Sequence, residues 1–323
     1  MPKIFVSRTL PPRAQALLRS QPDCIVVQWE GEEPVSSDRL LQEVKDGVDG
    51  LLVMLTEKID EELLDAAGSR LKVVSTMSVG LDHINKPACQ ARGVLIGNTP
   101  DTLTAAVAEL TIGLLIATGR RFAEAARAVM TGEWPKWSPL WMCGSQISGK
   151  VVGIVGLGAI GVAIGERLRG FGVASIIYSS PNPKPTASAS ISATHVPLPT
   201  LLSTSDIILL CCPLTPATRH LISTKEFAQM KPSAIFINTA RGPIVDQAAL
   251  VQALRNGTIA AAGLDVTDPE PLDPSSDLLK LDNCLVLPHI ASATLETREE
   301  MARVAVENVL AGVRRRPLTA QVL

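Results

Sequence analysis

The segment 151–161, with the sequence VVGIVGLGAIG, constrains the fold more than any other part of this 323-residue chain. It joins a short apolar strand to a glycine-rich turn, and a helix-like stretch follows. In a turn of this spacing Gly156 permits the sharp bend, Gly158 lets the backbone approach a pyrophosphate, and Gly161 lets the helix pack against the strand. Glycine-rich turns also serve packing alone, so the surrounding sequence has to decide between the two interpretations.

The surrounding sequence favours an α/β fold, because short β-branched runs alternate with helix-like stretches along nearly the whole chain. We predict two Rossmann-like or flavodoxin-like lobes, each with a parallel sheet, and a cleft between them. A long helix is predicted over 102–130, an irregular exposed segment over 179–199 and a last helix over 293–313. The predicted strands are 3–7, 24–28, 50–55, 71–76 and 94–96 in a first series, and 151–155, 175–178, 207–211, 234–238, 260–264 and 285–287 in a second.

The helix after the glycine turn predicts a phosphate site. The first amides of a helix point outward at the positive end of its dipole, so we expect the N–H groups of Gly158, Ala159 and Ile160 to meet the phosphates. Because the turn stands at the start of a strand series, a dinucleotide site is favoured over packing alone.

The end of the next strand indicates which dinucleotide binds. NAD enzymes usually have an acidic residue there for the ribose 2′-hydroxyl, but no Asp or Glu lies between Gly172 and Ser205. Ser179, Ser180 and Lys184 could instead receive a 2′-phosphate. These residues favour NADP(H). A solvent-exposed loop indifferent to the phosphate is the alternative, and NAD(H) stays open as a second cofactor.

Three ionisable residues in the second half of the chain follow apolar strands: Arg241 in NTARG, Glu270 in DPEP and His289 in LPHIAS. Each would lie at the carboxyl end of a strand, where ligands bind in open α/β sheets. Taken singly, Arg241 could cap a turn, Glu270 could be a solvated loop carboxylate and His289 could be a hydrogen-bonded core histidine. Their common position downstream of a dinucleotide turn favours a joint catalytic role. His83 is a lesser candidate.

Reduction of a small 2-keto acid to a 2-hydroxy acid requires these three kinds of group. A guanidinium can hold a carboxylate through two parallel hydrogen bonds. An imidazolium can donate a proton to the carbonyl oxygen near neutral pH, and a carboxylate beside it keeps the ring oriented and favours its charged form. We assign these roles to Arg241, His289 and Glu270 in that order.

Composition and charge exclude several classes of partner. Hydrophobic residues make up 46% of the chain, and 30 Lys and Arg nearly balance 32 Asp and Glu. The longest basic run is 314–316, so nucleic acid is not expected. No apolar run could span a bilayer and the N-terminus does not resemble a signal peptide, so we expect a soluble cytoplasmic protein without a membrane partner. Six cysteines without a Cys-x-x-Cys pair predict buried, reduced thiols and no metal site.

Taken together, the motifs resemble those of the D-2-hydroxyacid dehydrogenase family over essentially the whole chain. The resemblance implies that Arg241, Glu270 and His289 are the substrate arginine, the glutamate partner and the catalytic histidine. It also implies a discontinuous substrate-binding domain, 1–104 with 290–323, and a dinucleotide-binding domain, 105–289. The motifs are GLGAIG at 156–161, the stretch 206–216, FINTARGPIVD at 236–246, GLDVTDPEPL at 263–272 and PHIAS at 288–292.

The same resemblance implies further site residues. In the loop 75–83, the backbone amides of Val79 and Gly80 would bind the substrate carboxylate, with simple turn formation as the alternative. Asp265 corresponds to an aspartate near the nicotinamide, with a structural strand-end carboxylate as the alternative. Ser292 is implied as a substrate contact, and the remaining implied cofactor contacts are Pro213, Thr239 and Ala291.

Within the family, the sequence WPKWSPLWMCG at 134–144 is similar to the glyoxylate and hydroxypyruvate reductase branch. That branch implies NADPH-dependent reduction of glyoxylate to glycolate and of hydroxypyruvate to D-glycerate by a homodimer. Trp141 would border the substrate site, from its own chain or across the dimer, or else only anchor the subunit interface. Pro181 and Lys184 stand where NADP-preferring relatives commonly have arginine, which puts the cofactor preference in doubt.

Two other functions remain as alternatives. Phosphoglycerate dehydrogenase, a relative, would need a pocket for an anionic phosphate and often has an added regulatory domain. A corepressor or scaffold that senses the dinucleotide could use the same fold, and an intact set of Arg, Glu and His does not exclude it. Turnover is the simpler hypothesis.

Overall fold

The structure is a computed structural model, and it describes residues 1–31 and 33–322. The strands, in chain order, are β1 (Lys3–Val6), β2 (Ile25–Gln28), β3 (Gly50–Val53), β4 (Val73–Thr76), β5 (Leu95–Gly97), β6 (Val151–Val155), β7 (Ser175–Ser179), β8 (Thr194–His195), β9 (Ile207–Leu210), β10 (Ile235–Asn238), β11 (Ala261–Leu264) and β12 (Cys284–Val286). The α-helices are α1 (Pro12–Arg19), α2 (Ser37–Lys45), α3 (Glu61–Ala67), α4 (Lys86–Ala91), α5 (Thr104–Gly119), α6 (Phe122–Thr131), α7 (Ala159–Arg169), α8 (Pro185–Ile191), α9 (Leu198–Thr204), α10 (Thr224–Phe227), α11 (Gln247–Arg255) and α12 (Leu295–Val313).

Contacts between Cα atoms divide the chain into two compact units. The first unit is Met1–Leu103 together with Ala293–Leu323, and the second is Thr104–Ser292. The first unit is therefore discontinuous in sequence.

The first unit is built on a parallel sheet in the order β2-β1-β3-β4-β5. Every residue of β3 and β4 is buried, as expected for central strands covered on both faces. Helix α12 packs against β3, β4, β5 and α1, which explains why the last part of the chain joins the first unit. The side chain of Thr294 accepts the N–H of Thr297 and so caps the start of α12.

The second unit is built on a parallel sheet in the order β12-β11-β10-β9-β6-β7-β8. Along β9, Ile208 and Leu210 pack into one apolar cluster, whereas Ile207 and Leu209 pack into a second cluster with residues of α5 and α7. Alternate side chains of a strand point to opposite faces, so both faces of this sheet are covered. The predicted α/β class with two parallel sheets is confirmed.

The prediction of one long helix over 102–130 is wrong. Helix α5 ends at Gly119 and α6 begins at Phe122, because Arg121 adopts a left-handed conformation with φ of 56°. Its guanidinium binds the carboxylate of Glu124 at 2.6 and 2.8 Å, which holds the chain in the new direction. A run rich in Ala and Leu gives no sign of such a break.

The prediction of an irregular segment over 179–199 is also wrong in part. The segment contains α8, the short strand β8 and the start of α9. Prolines lie in the first turn of both helices, where their missing N–H costs no hydrogen bond. Ile191 is buried and anchors the segment, although residues 181–186 are exposed as expected.

The prediction of buried cysteines is wrong for Cys143, which lies in an exposed loop. Cys24 and Cys89 are buried, and the other three are partly exposed. Within residues 1–31 and 33–322, no helix is long and apolar enough to cross a membrane. In the same ranges no group of His, Cys, Asp and Glu side chains is arranged to hold a metal ion.

Candidate active site

The glycine turn after β6 combines two close contacts with one open position. Gly156 has a φ of 94°, and a Cβ there would lie 2.8 Å from the backbone of Cys212. A Cβ on Gly161 would lie 2.7 Å from the carbonyl oxygen of Gly156. By contrast, a Cβ on Gly158 would meet nothing within 4 Å. The turn therefore packs tightly on the protein side and leaves space at Gly158.

This space fits a pyrophosphate. Gly158 is the N-cap of α7 and has no side chain to accept the first amides of the helix, among them those of Ala159 and Ile160. Helix amides without such an acceptor form an anion site at the positive end of the dipole. The residues present thus fit the phosphates of a dinucleotide.

The end of β7 carries the residues that would approach the ribose. Ser179 and Ser180 are half-buried, and Lys184 is exposed. The hydroxyl of Tyr178, which is buried, accepts the backbone N–H of Lys184 at 2.8 Å and fixes the loop between them. The backbone of Lys184, which carries the exposed ammonium group, is therefore held in place by Tyr178.

Two other predicted cofactor contacts follow β9 and β10. The carbonyl of Pro213 accepts the hydroxyl of Thr218 at 2.7 Å, which folds the loop after β9. The hydroxyl of Thr239 lies 2.8 Å from that of Thr111 on α5. Both residues are at the carboxyl edge of the sheet, on the same edge as the glycine turn.

His289 and Glu270 form a direct pair. Nδ1 of His289 lies 2.8 Å from Oε2 of Glu270, while Oε1 of Glu270 accepts the N–H of Thr267 at 3.0 Å. A carboxylate can only accept, so Nδ1 carries the hydrogen of this bond and Nε2 is left to exchange a proton with a ligand. The side chains are 28% and 37% exposed, so a ligand can reach them.

The surroundings of Glu270 favour its ionised form. Burial alone would raise the pKa of this carboxyl, but the hydrogen bonds and positive charges around it, above all those of His289, together outweigh burial and lower the pKa below its ordinary value. The amide of Thr267 and the charge of Arg241 act in the same direction. Glu270 therefore stays charged and able to orient the imidazole.

Asp265 holds the loop that carries His289. Its Oδ1 and Oδ2 accept the N–H groups of Ile290 and Ala291, both at 2.8 Å, and its carbonyl accepts the N–H of His289 at 2.8 Å. Burial raises the pKa of Asp265, and the two amide bonds only partly offset that effect. The observed contacts match the structural role that was the alternative interpretation of this residue.

Arg241 lies in a tight turn at the end of β10. Its Nη1 donates to the carbonyl of Ala240 at 2.8 Å, and its charge reaches Glu270 as described above. A Cβ on Gly242 would lie 1.9 Å from the carbonyl oxygen of Thr267, so only glycine lets the Arg241 turn approach the loop of Glu270 so closely. The structure thus brings all three predicted catalytic residues to one edge of the sheet.

Asn238, the last residue of β10, is a further residue of this edge that was not predicted from the sequence. Its side chain is 1% exposed and makes hydrogen bonds to the turn that carries Arg241. A polar residue at the end of the apolar run IFIN was the one available signal.

The predicted substrate loop lies in the first unit, after β4. The hydroxyl of Ser78 donates to the carbonyl of Gly80 at 2.7 Å, and the amide of Asn98 donates to the carbonyl of Val79 at 3.2 Å. In the part of the chain that the structure describes, the N–H groups of Val79 and Gly80 make no hydrogen bond. The loop is held through its carbonyl groups, and these two amides have no acceptor among the described residues.

The last two predicted substrate contacts differ in environment. Ser292 is buried beside Ala291 at the end of the His289 loop. Trp141 is 38% exposed and lines a separate surface cavity. The other residues of that cavity are Glu124, Arg127, Ala128, Glu133, Met142 and Asp282. Within the second unit, Trp141 is therefore not grouped with the His289–Glu270 pair.

Comparisons with known proteins show the family of the chain. Residues 112–291 match the family model described as "D-isomer specific 2-hydroxyacid dehydrogenase, NAD binding domain". Glyoxylate reductase/hydroxypyruvate reductase of Mus musculus is 49% identical over 312 residues, which cover 97% of this chain and 95% of the relative. The Homo sapiens protein of the same name is 46% identical over 319 residues, which cover 99% and 97%.

Among solved structures, the chain resembles the NADPH-dependent glyoxylate/hydroxypyruvate reductase of Sinorhizobium meliloti in complex with NADP and malonate. The TM-score is 0.83 and the identity is 35%, with 99% of this chain and 96% of that chain covered. The similarity therefore extends over both units of the fold.

Proposed function

Because the chain belongs to the D-isomer specific 2-hydroxyacid dehydrogenase family, we propose that it reduces glyoxylate to glycolate and hydroxypyruvate to D-glycerate with NADPH. The proposal is carried by one observation, the 2.8 Å pair of His289 and Glu270 with the charge of Arg241 acting on it. A proton donor, its orienting carboxylate and a cation for a carboxylate are the groups that reduction of a keto acid needs.

We assign the steps of the reaction to these side chains. Arg241 binds the carboxylate of the keto acid and polarises its carbonyl group. The nicotinamide, when bound, supplies a hydride to the carbonyl carbon. His289 donates the Nε2 proton to the carbonyl oxygen, and Glu270 stabilises the ring before the transfer and keeps it oriented afterwards. For the first unit, we propose that the backbone amides of Val79 and Gly80 bind a substrate carboxylate, and for the second unit, that Ser292 contacts the substrate.

We assign dinucleotide binding to the second unit, and in the first unit we assign the amides of Val79 and Gly80 to substrate binding. The open position at Gly158 supports the assignment of the pyrophosphate to the turn after β6. The residues proposed to contact the cofactor are Gly156, Gly158, Ala159, Ile160, Gly161, Ser179, Ser180, Lys184, Pro213, Thr239, Asp265 and Ala291.

NADPH is the proposed cofactor in preference to NADH. The loop after β7 offers two serine hydroxyls and the ammonium of Lys184, and no carboxylate that would repel a 2′-phosphate. The relative from Sinorhizobium meliloti was solved with NADP, which supports the same choice.

A homodimer is proposed as the working form, and the surface around α6 supports it. Met130, Trp134, Trp137 and Leu140 are all more than 60% exposed, with Trp137 at 86%. Several large apolar side chains left exposed along one short segment, 130–140, are typical of protein interfaces. A second copy of the chain would cover them, and the Trp141 next to them would then border the interface or the partner's substrate site.

We further propose that the enzyme acts in the cytoplasm, where reduced thiols such as its free cysteines are stable.

The decisive experiment is a turnover assay. Purified protein is mixed with NADPH and either glyoxylate or hydroxypyruvate, and the near-ultraviolet absorbance of NADPH is followed. We expect the absorbance to fall and glycolate or D-glycerate to accumulate in equal amount. NADPH binding without turnover of any small 2-keto acid would instead favour a protein that only senses the dinucleotide.

A further inference from the structure

Asn238 uses both of its side-chain polar groups on the turn that carries Arg241. Its Oδ1 accepts the N–H of Ala240 at 3.0 Å, and its Nδ2 donates to the carbonyl of Arg241 at 2.9 Å. Its own carbonyl accepts the N–H of Asp265 at 2.9 Å. Asn238 therefore links the turn that carries Arg241 to Asp265, the residue after β11 that holds the His289 loop.

The sheet itself does not require a polar residue at this point. In the register of the parallel strands, Asn238 lies opposite Leu210 on β9 and Leu264 on β11, and both of these leucines are buried. A buried amide costs free energy unless its donor and acceptor are both satisfied. Asn238 satisfies both with the backbone of residues 240 and 241, so its contacts are directed at the turn.

We propose that Asn238 is a positioning residue that sets the place of the Arg241 guanidinium for the carboxylate of the substrate. An acceptor and a donor on one short side chain are both needed, because one bond fixes the amide at 240 and the other fixes the carbonyl at 241. An ionised Asp offers only acceptors and a Leu offers neither. The inference rests on the proposed function, since it names the residue through which Arg241 is positioned for the keto acid.

The test is a double-mutant cycle of Asn238→Leu and Arg241→Ala, with kcat and KM measured for glyoxylate at saturating NADPH. Asn238→Leu alone is expected to lower kcat/KM by about 10- to 100-fold, because small misplacements of a binding group have effects of this size. In the Arg241→Ala background, the same substitution should change kcat/KM by less than about 3-fold, because two residues that act through one contact are not additive. Equal losses in both backgrounds would overturn the proposal.

Asn283→Leu is the matched control. Asn283 donates to the carbonyls of Leu254 and Ala260, at the opposite edge of the same sheet. Its replacement also removes two hydrogen bonds, so it should lower the thermal stability, but it should leave kcat/KM within about 3-fold of the parent protein. If Asn238→Leu does not fold, Asn238→Ala removes the same two bonds without adding bulk and takes its place.

Hydrogen exchange of the backbone amides separates this inference from the proposed function. The Ala240 amide is bonded to Asn238, so it should exchange at least about tenfold faster in Asn238→Leu than in the parent or in Asn283→Leu. This readout applies whether or not the protein reduces glyoxylate. Unchanged exchange at residue 240 would overturn the positioning role, whereas absence of turnover in the parent protein would count against the proposed function alone.

Discussion

Asp265 binds the chain at His289 through its backbone and binds the next two residues through its side chain. The carbonyl of Asp265 accepts the N–H of His289 at 2.8 Å, and the carboxylate accepts the amides of Ile290 and Ala291. His289 has a φ of 54°, a left-handed conformation that is unfavourable for a residue other than glycine. The three bonds hold the backbone of His289 in this conformation and so fix the point from which its imidazole extends.

Asp265→Asn should therefore impair catalysis more than stability. Asn can accept one of the two amides, but its own NH₂ group then faces the other amide, so the His289 loop should shift. We expect kcat with glyoxylate to fall by about 10- to 100-fold, with a smaller change in the melting temperature. Asp206→Asn is the control, because Asp206 accepts the amide of Val151 and the ammonium of Lys231 at the other edge of the sheet. A larger kinetic loss in the control would refute the assignment.

His289→Ala should lower kcat by about 10²- to 10⁴-fold, the usual effect of removing a general acid. Binding of NADPH, followed by fluorescence titration, should change little, because the glycine turn and the loop after β7 lie on other strands. A near-normal kcat in this variant would remove His289 from the proposed role.

Glu270→Gln should make stability less dependent on pH. The pKa of Glu270 is lowered in the folded protein, so its ionised form stabilises the fold above the ordinary value of 4.5. That contribution is lost as the pH falls through the lower, folded-state pKa. The melting temperature of the parent should thus exceed that of Glu270→Gln at neutral pH, and the difference should shrink as acid is added. A difference that grows toward low pH would contradict the assigned direction.

Much of the fold could be predicted from the sequence because its signals are local. The strands and the glycine turn depend on short apolar runs and on residue types that few other conformations accept. The break at Arg121 could not be predicted, since it depends on a left-handed residue held by Glu124. The order of the strands and the inclusion of α12 in the first unit depend on contacts between distant segments.

The residues of the candidate site likewise divide into those with a local sequence signal and those that depend on contacts in the fold. His289, Glu270 and Arg241 could be singled out because each follows an apolar strand and has a chemistry that the reaction needs. Asn238 could not, because its importance comes from bonds to the backbone of its neighbours, and a single Asn has many possible roles. The contacts of Asp265 with the His289 loop likewise join residues 24 to 26 positions apart and have no local pattern.

Lys184→Ala should reduce the preference for NADPH over NADH. The backbone N–H of Lys184 is bonded to Tyr178 and survives the substitution, so only the ammonium group is removed. Because exposed charge pairs contribute modestly, we expect the ratio of kcat/KM for NADPH to that for NADH to fall by about 3- to 10-fold. Lys225→Ala, on the exposed side of α10, is the control and should leave the ratio unchanged. An unchanged ratio in Lys184→Ala would mean that the loop does not contact the 2′-phosphate.

Two glycine substitutions distinguish a binding role from a packing role in the turn after β6. A Cβ on Gly158 meets nothing within 4 Å, so Gly158→Ala should fold with an unchanged melting temperature. The added methyl group would occupy the space assigned to the pyrophosphate, so NADPH should bind at least about tenfold more weakly.

A Cβ on Gly161 lies 2.7 Å from the carbonyl oxygen of Gly156. Gly161→Ala should therefore lower the free energy of unfolding by about 1–3 kcal/mol through overpacking, and the melting temperature should fall with it. Thermal melts and NADPH titrations of both variants test this. A methyl group and a pyrophosphate cannot share the open space beside Gly158. Unchanged NADPH binding by Gly158→Ala would therefore mean that the phosphates bind elsewhere.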